Sequence, residues 1–276
     1  MDKKKMKISA IILAKDESSM IEGCINSLDW CDEILLVDNG SSDDTVIKAE
    51  NLGARVISFS HPSFARKRNE GLKHATGDWI FYIDADERVT PTFAKEILVH
   101  IETGEATVLE SQRKNYCYGF PFSYGGWQDD FVTRIFKKES LKEWTGKIHE
   151  SPVYEGTVVK LHSSLIHLTH RSTEDNLRKS ADWTKLEADL LYKAGEKPVN
   201  LFTLVRKGVM EFFRRVVLKK GYKDGMPGVI EGVVQGINRM IIYIQVWELQ
   251  QKPSLSDRYS KKETEIKNLW KKEKNI

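Results

Sequence analysis

Asp84 and Asp86 stand one residue apart at the end of an apolar run, Trp79 to Ile83. At the mouth of a buried strand both carboxylates can turn toward one ligand. Hard oxygen donors suit Mg²⁺ or Mn²⁺, and such an ion, held by one or two carboxylates, usually completes its shell with water and phosphates. The pair outlines a clamp for a diphosphate, the bland alternative being acids that only cap strands and helices. Asp38 closes a second apolar run, Glu33 to Val37. A carboxylate there can accept the imide N–H of a uracil ring, or it can build an Asx turn ahead of helix caps at Ser42 or Asp43. Arg66-Lys67-Arg68 supplies cations that can face a nucleotide or form a solvated helix face, Arg68 being the candidate contact.

These residues need elements to position them. Lys7 to Ala14 is an apolar run of strand length, KDESS behind it is charged and turn-prone, and Met20 to Leu28 is amphipathic, which predicts strand, loop, helix. Glu33 to Val37, Ala54 to Phe59 and Trp79 to Ile83 predict three more strands, with helices over Thr45 to Leu52 and Ala65 to His74 between them. This alternation implies an α/β, Rossmann-like, mostly parallel sheet. In open sheets of this kind ligands lie beyond the carboxyl ends of the strands, where KDE, DNGSSDD and DADE all fall. Short strands and aromatic turns follow from Val108 to Phe136, and Val158 to Leu168 reads as a strand pair. Beyond Ser172 the pattern is helical, with an amphipathic helix over Asn200 to Lys220, a break at Gly221 to Gly228, a more apolar helix over Val229 to Leu249, and a charged tail from Gln250 expected to fray.

With 276 residues, 40% hydrophobic and 30% charged, the chain fits one α/β domain with an appendage. No apolar run approaches the roughly 20 residues of a spanning helix. The basic start MDKKKMK meets no small-residue cleavage site and reads as a solvated lead into the first strand. Cys24, Cys31 and Cys117 form no C-x-x-C pair, which argues against a disulfide framework and for a cytoplasmic compartment. A net charge of +3 gives no reason to expect nucleic acid as a partner. Neither G-x-G-x-x-G nor a Walker loop follows the first strand, which disfavours nicotinamide and flavin dehydrogenases.

The set IILAKDE, VDNGSSDDT, R-N-x-G at Arg68 to Gly71 and YIDADE resembles, in order and spacing, family 2 glycosyltransferases with the nucleotide-sugar-binding A-type fold. Thr133-Arg134-Ile135-Phe136, then Trp144 to Glu150 (WTGKIHE), and the stretch KKGYKDGMPG are similar to the subgroup that contains the lipopolysaccharide core β-1,4-glucosyltransferases. The resemblance implies an inverting, metal-dependent hexosyltransferase that moves a sugar, glucose first, from a UDP-sugar to a glycan or glycolipid acceptor. Residues 1–171 would form the catalytic domain and 172–276 a helical extension. Asp86 would hold the Mg²⁺ or Mn²⁺, Asp84 would position the ribose or the ion's water shell, and Lys15, Glu17, Asp38 and Arg68 would line the nucleotide. The family commonly has Asn-Glu-Glu where this chain has Lys15-Asp16-Glu17.

Attack by an acceptor hydroxyl requires a base, and the resemblance points to Glu150, against a turn in which this Glu makes only a surface ion pair. Asp129 and Asp130 are rival bases or acceptor contacts, and Trp127 offers a stacking face for a sugar or a piece of core. Arg134 can hold phosphate or orient Glu150. His149, His167 and His170 can each complete a metal shell, touch the diphosphate or sit satisfied in the core, with His149 ranked above His170. The competing classes are a non-catalytic nucleotide-sugar-binding protein, which the intact acids argue against, and a nucleotidyltransferase, which would carry a Gly-rich basic loop after the first strand.

Charge is unevenly distributed. Nine Lys and Arg between Lys193 and Lys223 face only Glu196 and Glu211, so this segment carries +7. A basic amphipathic helix suits the anionic inner face of a membrane, the favoured reading, while packing against the catalytic domain or a twin subunit is the alternative.

Overall fold

The computed structural model describes residues 6–146 and 150–273. Strand β1, Ile8–Ala14, is buried at all seven positions, as a strand covered on both faces must be. It leads through α1 (Ile21–Asn26) to β2 (Glu33–Asp38), then through α2 (Thr45–Asn51) to β3 (Arg55–Ser58), and through α3 (Phe64–His74) to β4 (Trp79–Asp84). These four strands run parallel in the order β3-β2-β1-β4. Alternate residues of β1 enter two cores: Ile8, Ala10 and Ile12 pack with Phe81 and Phe93, while Ile11 and Leu13 pack with Leu35, Val37 and Tyr82.

The chain continues through β5 (Glu87–Arg88) into α4 (Pro91–Thr103). Here Thr90 accepts a hydrogen bond from Phe93 N at 3.2 Å, Pro91 opens the first turn, and Gly104 ends the helix in the left-handed region at φ 71°. Then come β6 (Val108–Cys117), β7 (Phe120–Pro121), β8 (Phe131–Lys137), β9 (Leu141–Thr145), β10 (Ser151–Tyr154) and β11 (Val158–Thr169). β8 lies antiparallel between β4 and β6, β6 pairs parallel with β11, and β11 pairs antiparallel with β5, so the parallel sheet becomes mixed on this side. β9 and β10 form a separate two-stranded sheet.

The segment expected as a strand pair over Val158 to Leu168 is one twelve-residue strand. Its register shifts between Lys160 and Ser164, and there Glu96 of α4 accepts the N–H groups of His162 and Ser163 at 2.7 and 2.8 Å. A carboxylate thus satisfies the backbone groups that the ladder leaves out.

Residues 1–123 and 127–171 form one compact unit, and 124–126 with 172–276 form the other. The second contains α5 (Thr173–Lys193), α6 (Leu201–Phe213), α7 (Gly225–Gln250) and α8 (Leu255–Glu273). α6 and α7 approach through glycine. A Cβ on Gly208 would meet Met240 Cγ at 2.4 Å and Gly236 O at 3.2 Å, and one on Gly228 would lie 2.1 Å from the backbone oxygen of Gly221. With the small residues on the inside, α6 leaves Leu201, Phe202, Val205, Val209 and Phe213 exposed. Lys207 folds over the Tyr243 ring at 4.6 Å, and Arg214 and Arg215 both bind Glu211. Within the tail expected to fray, Leu255–Glu273 is helical (α8) although none of its residues is buried, and Ser254 Oγ accepts from Asp257 N at 3.1 Å at its start.

Candidate active site

Register places the acids together. Ala14 of β1 is opposite Asp38, and Leu13 is opposite Asp84, so both carboxylates end their strands at one edge of the sheet. β8 runs beside β4 with Ile135 opposite Phe81, which brings Arg134 to the same edge. Its Nη2 lies 2.8 Å from Asp84 Oδ2. Arg68, on one face of α3, completes the cluster: its Nη2 is 3.3 Å from Asp84 Oδ1 and 3.3 Å from Glu150 Oε1. Arg68 is only 1% exposed, and its guanidinium lies 4.7 Å from the Trp144 ring centroid.

The neighbours of Arg68 explain how a helix delivers a buried cation. Asn69 accepts from Trp144 N at 2.7 Å and donates to Trp144 O at 2.9 Å, tying α3 to β9. Gly71 packs where a Cβ would sit 2.5 Å from Ile11 Cγ2 and 3.1 Å from Val37 Cγ2, so the helix lies close on the sheet. Arg68-Asn69-x-Gly71 is thus one positioning device.

The electrostatics are uneven. Burial would raise the pKa of Asp84, but Arg134 and Arg68 outweigh it and hold this carboxyl well below the usual carboxylate range. Burial also opposes the charge of Arg134, yet Asp84 and Glu87 raise its pKa. Arg68 is pushed the other way, by burial and then by Arg134. Its Nε and Nη1 are buried without a hydrogen-bond acceptor among the described residues, so this cation has donors to spare.

A second network adjoins the first. Asp86 Oδ1 is 3.6 Å from His167 Nε2, and His167 Nδ1 is 2.6 Å from Asn115 Oδ1. Asn115 donates to Asp130 at 2.9 Å, and Arg113 grips Asp130 with Nε and Nη2, each at 2.9 Å. Glu87, fully buried, accepts from Asp84 N at 2.9 Å and lies 3.5 Å from Arg113 Nη1. Burial and the adjacent Asp84 raise the Glu87 pKa. Glu87, Arg113 and Asn115 are site residues that the motif reading passed over. The signal was available in β6, where Arg113 and Asn115, two residues apart, must share a face of a strand that is otherwise largely buried.

The other expected residues are more dispersed in role. Asp38 is buried and both its oxygens serve a turn, accepting from Gly40 N at 3.0 Å and from Ser41 N at 3.2 Å and Ser41 Oγ at 2.5 Å. That is the Asx-turn alternative to a base contact. Glu17 pairs with Arg171 at 3.3 Å, Lys15 is exposed, and Asp129 is exposed while Asp130 is locked. Trp127 is half-buried, its ring edge-on to His170 at 5.4 Å and to Phe122 at 6.3 Å. His149 lies outside the described residues. Among the described residues no group of three or more His, Cys, Asp or Glu side chains is arranged to hold a metal ion. No described helix is long and apolar enough to cross a membrane.

The sequence pattern described as Glycosyl transferase family 2 matches residues 9–154, more than half of the chain. The chain belongs to that family. The match spans Asp38, Arg68, Asp84, Asp86, Arg134 and Glu150, whereas His167 and the helices from α5 onward lie beyond it. Over nearly full length the chain is similar to other glycosyltransferases. It is 24% identical over 268 residues to the lipopolysaccharide core biosynthesis glycosyltransferase LpsC of Rhizobium meliloti, covering 93% of this chain and 98% of that one. It is 26% identical over 288 residues to an uncharacterized glycosyltransferase of Rickettsia typhi, covering 97% of each. Among solved structures, glucosyl-3-phosphoglycerate synthase from Mycobacterium tuberculosis, in complex with Mn²⁺, UDP and glucosyl-3-phosphoglycerate, is 30% identical over 39% of this chain and 44% of that chain, with a TM-score of 0.35. Glycosyl transfer is the activity class of this family 2 member, and its mixed, mostly parallel sheet with a helical C-terminal region is the fold class expected from the sequence.

Proposed function

We propose that this glycosyltransferase moves a hexose, glucose first among candidates, from a UDP-sugar to a glycan or glycolipid acceptor of the lipopolysaccharide core type, with inversion. The observation that carries the reading is the junction at Arg68: a buried guanidinium whose Nη2 meets both Asp84 and Glu150 and whose other donors find no acceptor among the described residues. Arg68 and Arg134 would face the donor diphosphate, with Asp84 fixing their planes. Glu150, which shares Arg68 Nη2 with Asp84, would take the proton of the attacking acceptor hydroxyl. With one base and no covalent nucleophile, a single displacement inverts the anomeric centre.

The donor set at Asp86 fits a hard divalent ion, which needs only one or two carboxylates when phosphates and water supply the rest, and an imidazole beside the carboxylate suits Mn²⁺ as well as Mg²⁺. Asp86, with His167, would hold that ion, and when bound it would neutralise charge building on the leaving diphosphate. Cys24, Cys31 and Cys117, none of them disulfide-bonded among the described residues, are in keeping with a cytoplasmic site of action.

A thermal-shift panel of UDP-, GDP-, CDP- and dTDP-sugars with and without Mn²⁺ tests the reading. UDP-sugars alone should stabilise the protein, and only with metal, by about 2.7 kcal/mol at a hundredfold excess over Kd. Stabilisation by a different nucleotide, or by none, overturns it. Asp86→Asn should abolish this metal-dependent shift.

A further inference from the structure

α6 turns its bulk outward. Leu201, Phe202, Val205, Val209 and Phe213 are between 47% and 76% exposed, and at 100° per residue they occupy one arc of about 120°. Arg206 borders this arc. An apolar face continuous over three turns of helix is rarely left to water and marks an interaction surface.

Charge identifies the occupant. From Ser172 onward the chain has 21 Lys and Arg against 14 Asp and Glu, whereas the preceding residues have 22 against 26. The apolar arc borders a hollow of about 580 Å³ whose lining includes Val209 and Phe213 together with Arg206, Lys207, Arg214 and Arg239. Arg214 is engaged by Glu211, Arg239 by Glu187 and Lys207 by the Tyr243 ring, but among the described residues Arg206 has no ion-pair partner. An unpaired cation bordering exposed apolar side chains matches a lipid, phosphate outside and acyl chain within. The same composition recurs on α8, where Tyr259, Ile266, Leu269 and Trp270 are 46–74% exposed on a helix with six Lys and Arg. A second copy of the chain would instead set excess positive charge against itself.

We infer that α6 docks on an anionic bilayer surface, its apolar arc in the acyl boundary and Arg206 against lipid phosphate. Flotation of the full-length protein with phosphatidylcholine vesicles, with and without phosphatidylglycerol, tests this independently of sugar transfer. The protein should float only with the anionic vesicles, and less as salt rises. Arg206→Gln, at a position that holds no ion pair among the described residues, should weaken partitioning about fivefold. Val209→Ser/Phe213→Ser should abolish it while circular dichroism shows the helical content unchanged. Failure to float, equal flotation with neutral vesicles, or flotation indifferent to the charge variant overturns the inference. So does a concentration-dependent dimer, seen by light scattering without flotation and broken by the apolar variant, which assigns the face to a second copy.

Discussion

Replacing Asp84 by Asn keeps the shape of the site and removes the charge between its two arginines. Truncating one partner of a buried ion pair costs about 3–5 kcal/mol, because the charge left behind is uncompensated. Two modifiers apply. The Asp84 side chain retains 29% exposure, which lessens the pair's worth, but the Arg68 and Arg134 side chains are 2% and 9% exposed and both lose a partner. Glu150 keeps its contact with Arg68 at 3.3 Å. The balance is a loss of about 3 kcal/mol, and at about 2–4 °C per kcal/mol for a chain of this size the melting temperature should fall by about 6–12 °C. Differential scanning calorimetry at neutral pH measures it. Sulfate should rescue the variant more than the parent, since an anion can occupy the place between the guanidiniums. In a double-mutant cycle, Arg134→Met should cost less on the Asp84→Asn background than on the parent, with a coupling of at least about 1 kcal/mol. A variant that melts within about a degree of the parent and ignores sulfate would refute the electrostatic account of the cluster.

Three further outcomes are expected. Glu150→Gln should lower kcat by about 10²–10⁴ while the UDP-induced thermal shift survives, as a steady-state assay beside the melting curve will show. Gly228→Ala should destabilise by about 1–3 kcal/mol in urea titrations despite alanine's better helix propensity, since the new methyl would meet the Gly221 backbone oxygen, 2.1 Å from the ideal Cβ. Against the effect of burial, hydrogen bonds from Thr45 and Ser18 lower the Asp43 pKa from 3.8 to about 2. A depressed acid stabilises the fold fully above its unfolded pKa and loses that contribution as pH falls through the folded one, so stability should decline between pH 3.8 and 2, with a shallower slope in Asp43→Asn.

The strand ends were legible because β1, β2 and β4 are largely apolar runs, β2 and β4 ending at Asp38 and Asp84 and β1 just ahead of Lys15-Asp16-Glu17, and a parallel sheet must present such ends along one edge. The depth of Arg68 was not legible. Three consecutive cations on a helix are normally solvated, and what buries this one lies far along the chain, at Asp84, Glu150 and Trp144. The same holds for β11, whose two halves are joined only because Glu96 caps the irregularity between them. For α6 the arc of apolar residues was readable from periodicity, but not its direction. Inside and outside were decided by Gly208 and Gly236, whose lack of side chains lets two backbones meet and displaces the larger residues to the surface.

Gly71 gives the chemistry a dependence that no inventory of charged groups would reveal. Its own surroundings are Ile11 and Val37, hydrocarbon only. A methyl there would lever α3 off the sheet, and the guanidinium three residues earlier would withdraw from both carboxylates at once. A screen scored by enzyme output would rank this position with the reacting groups, and one scored by polarity would discard it.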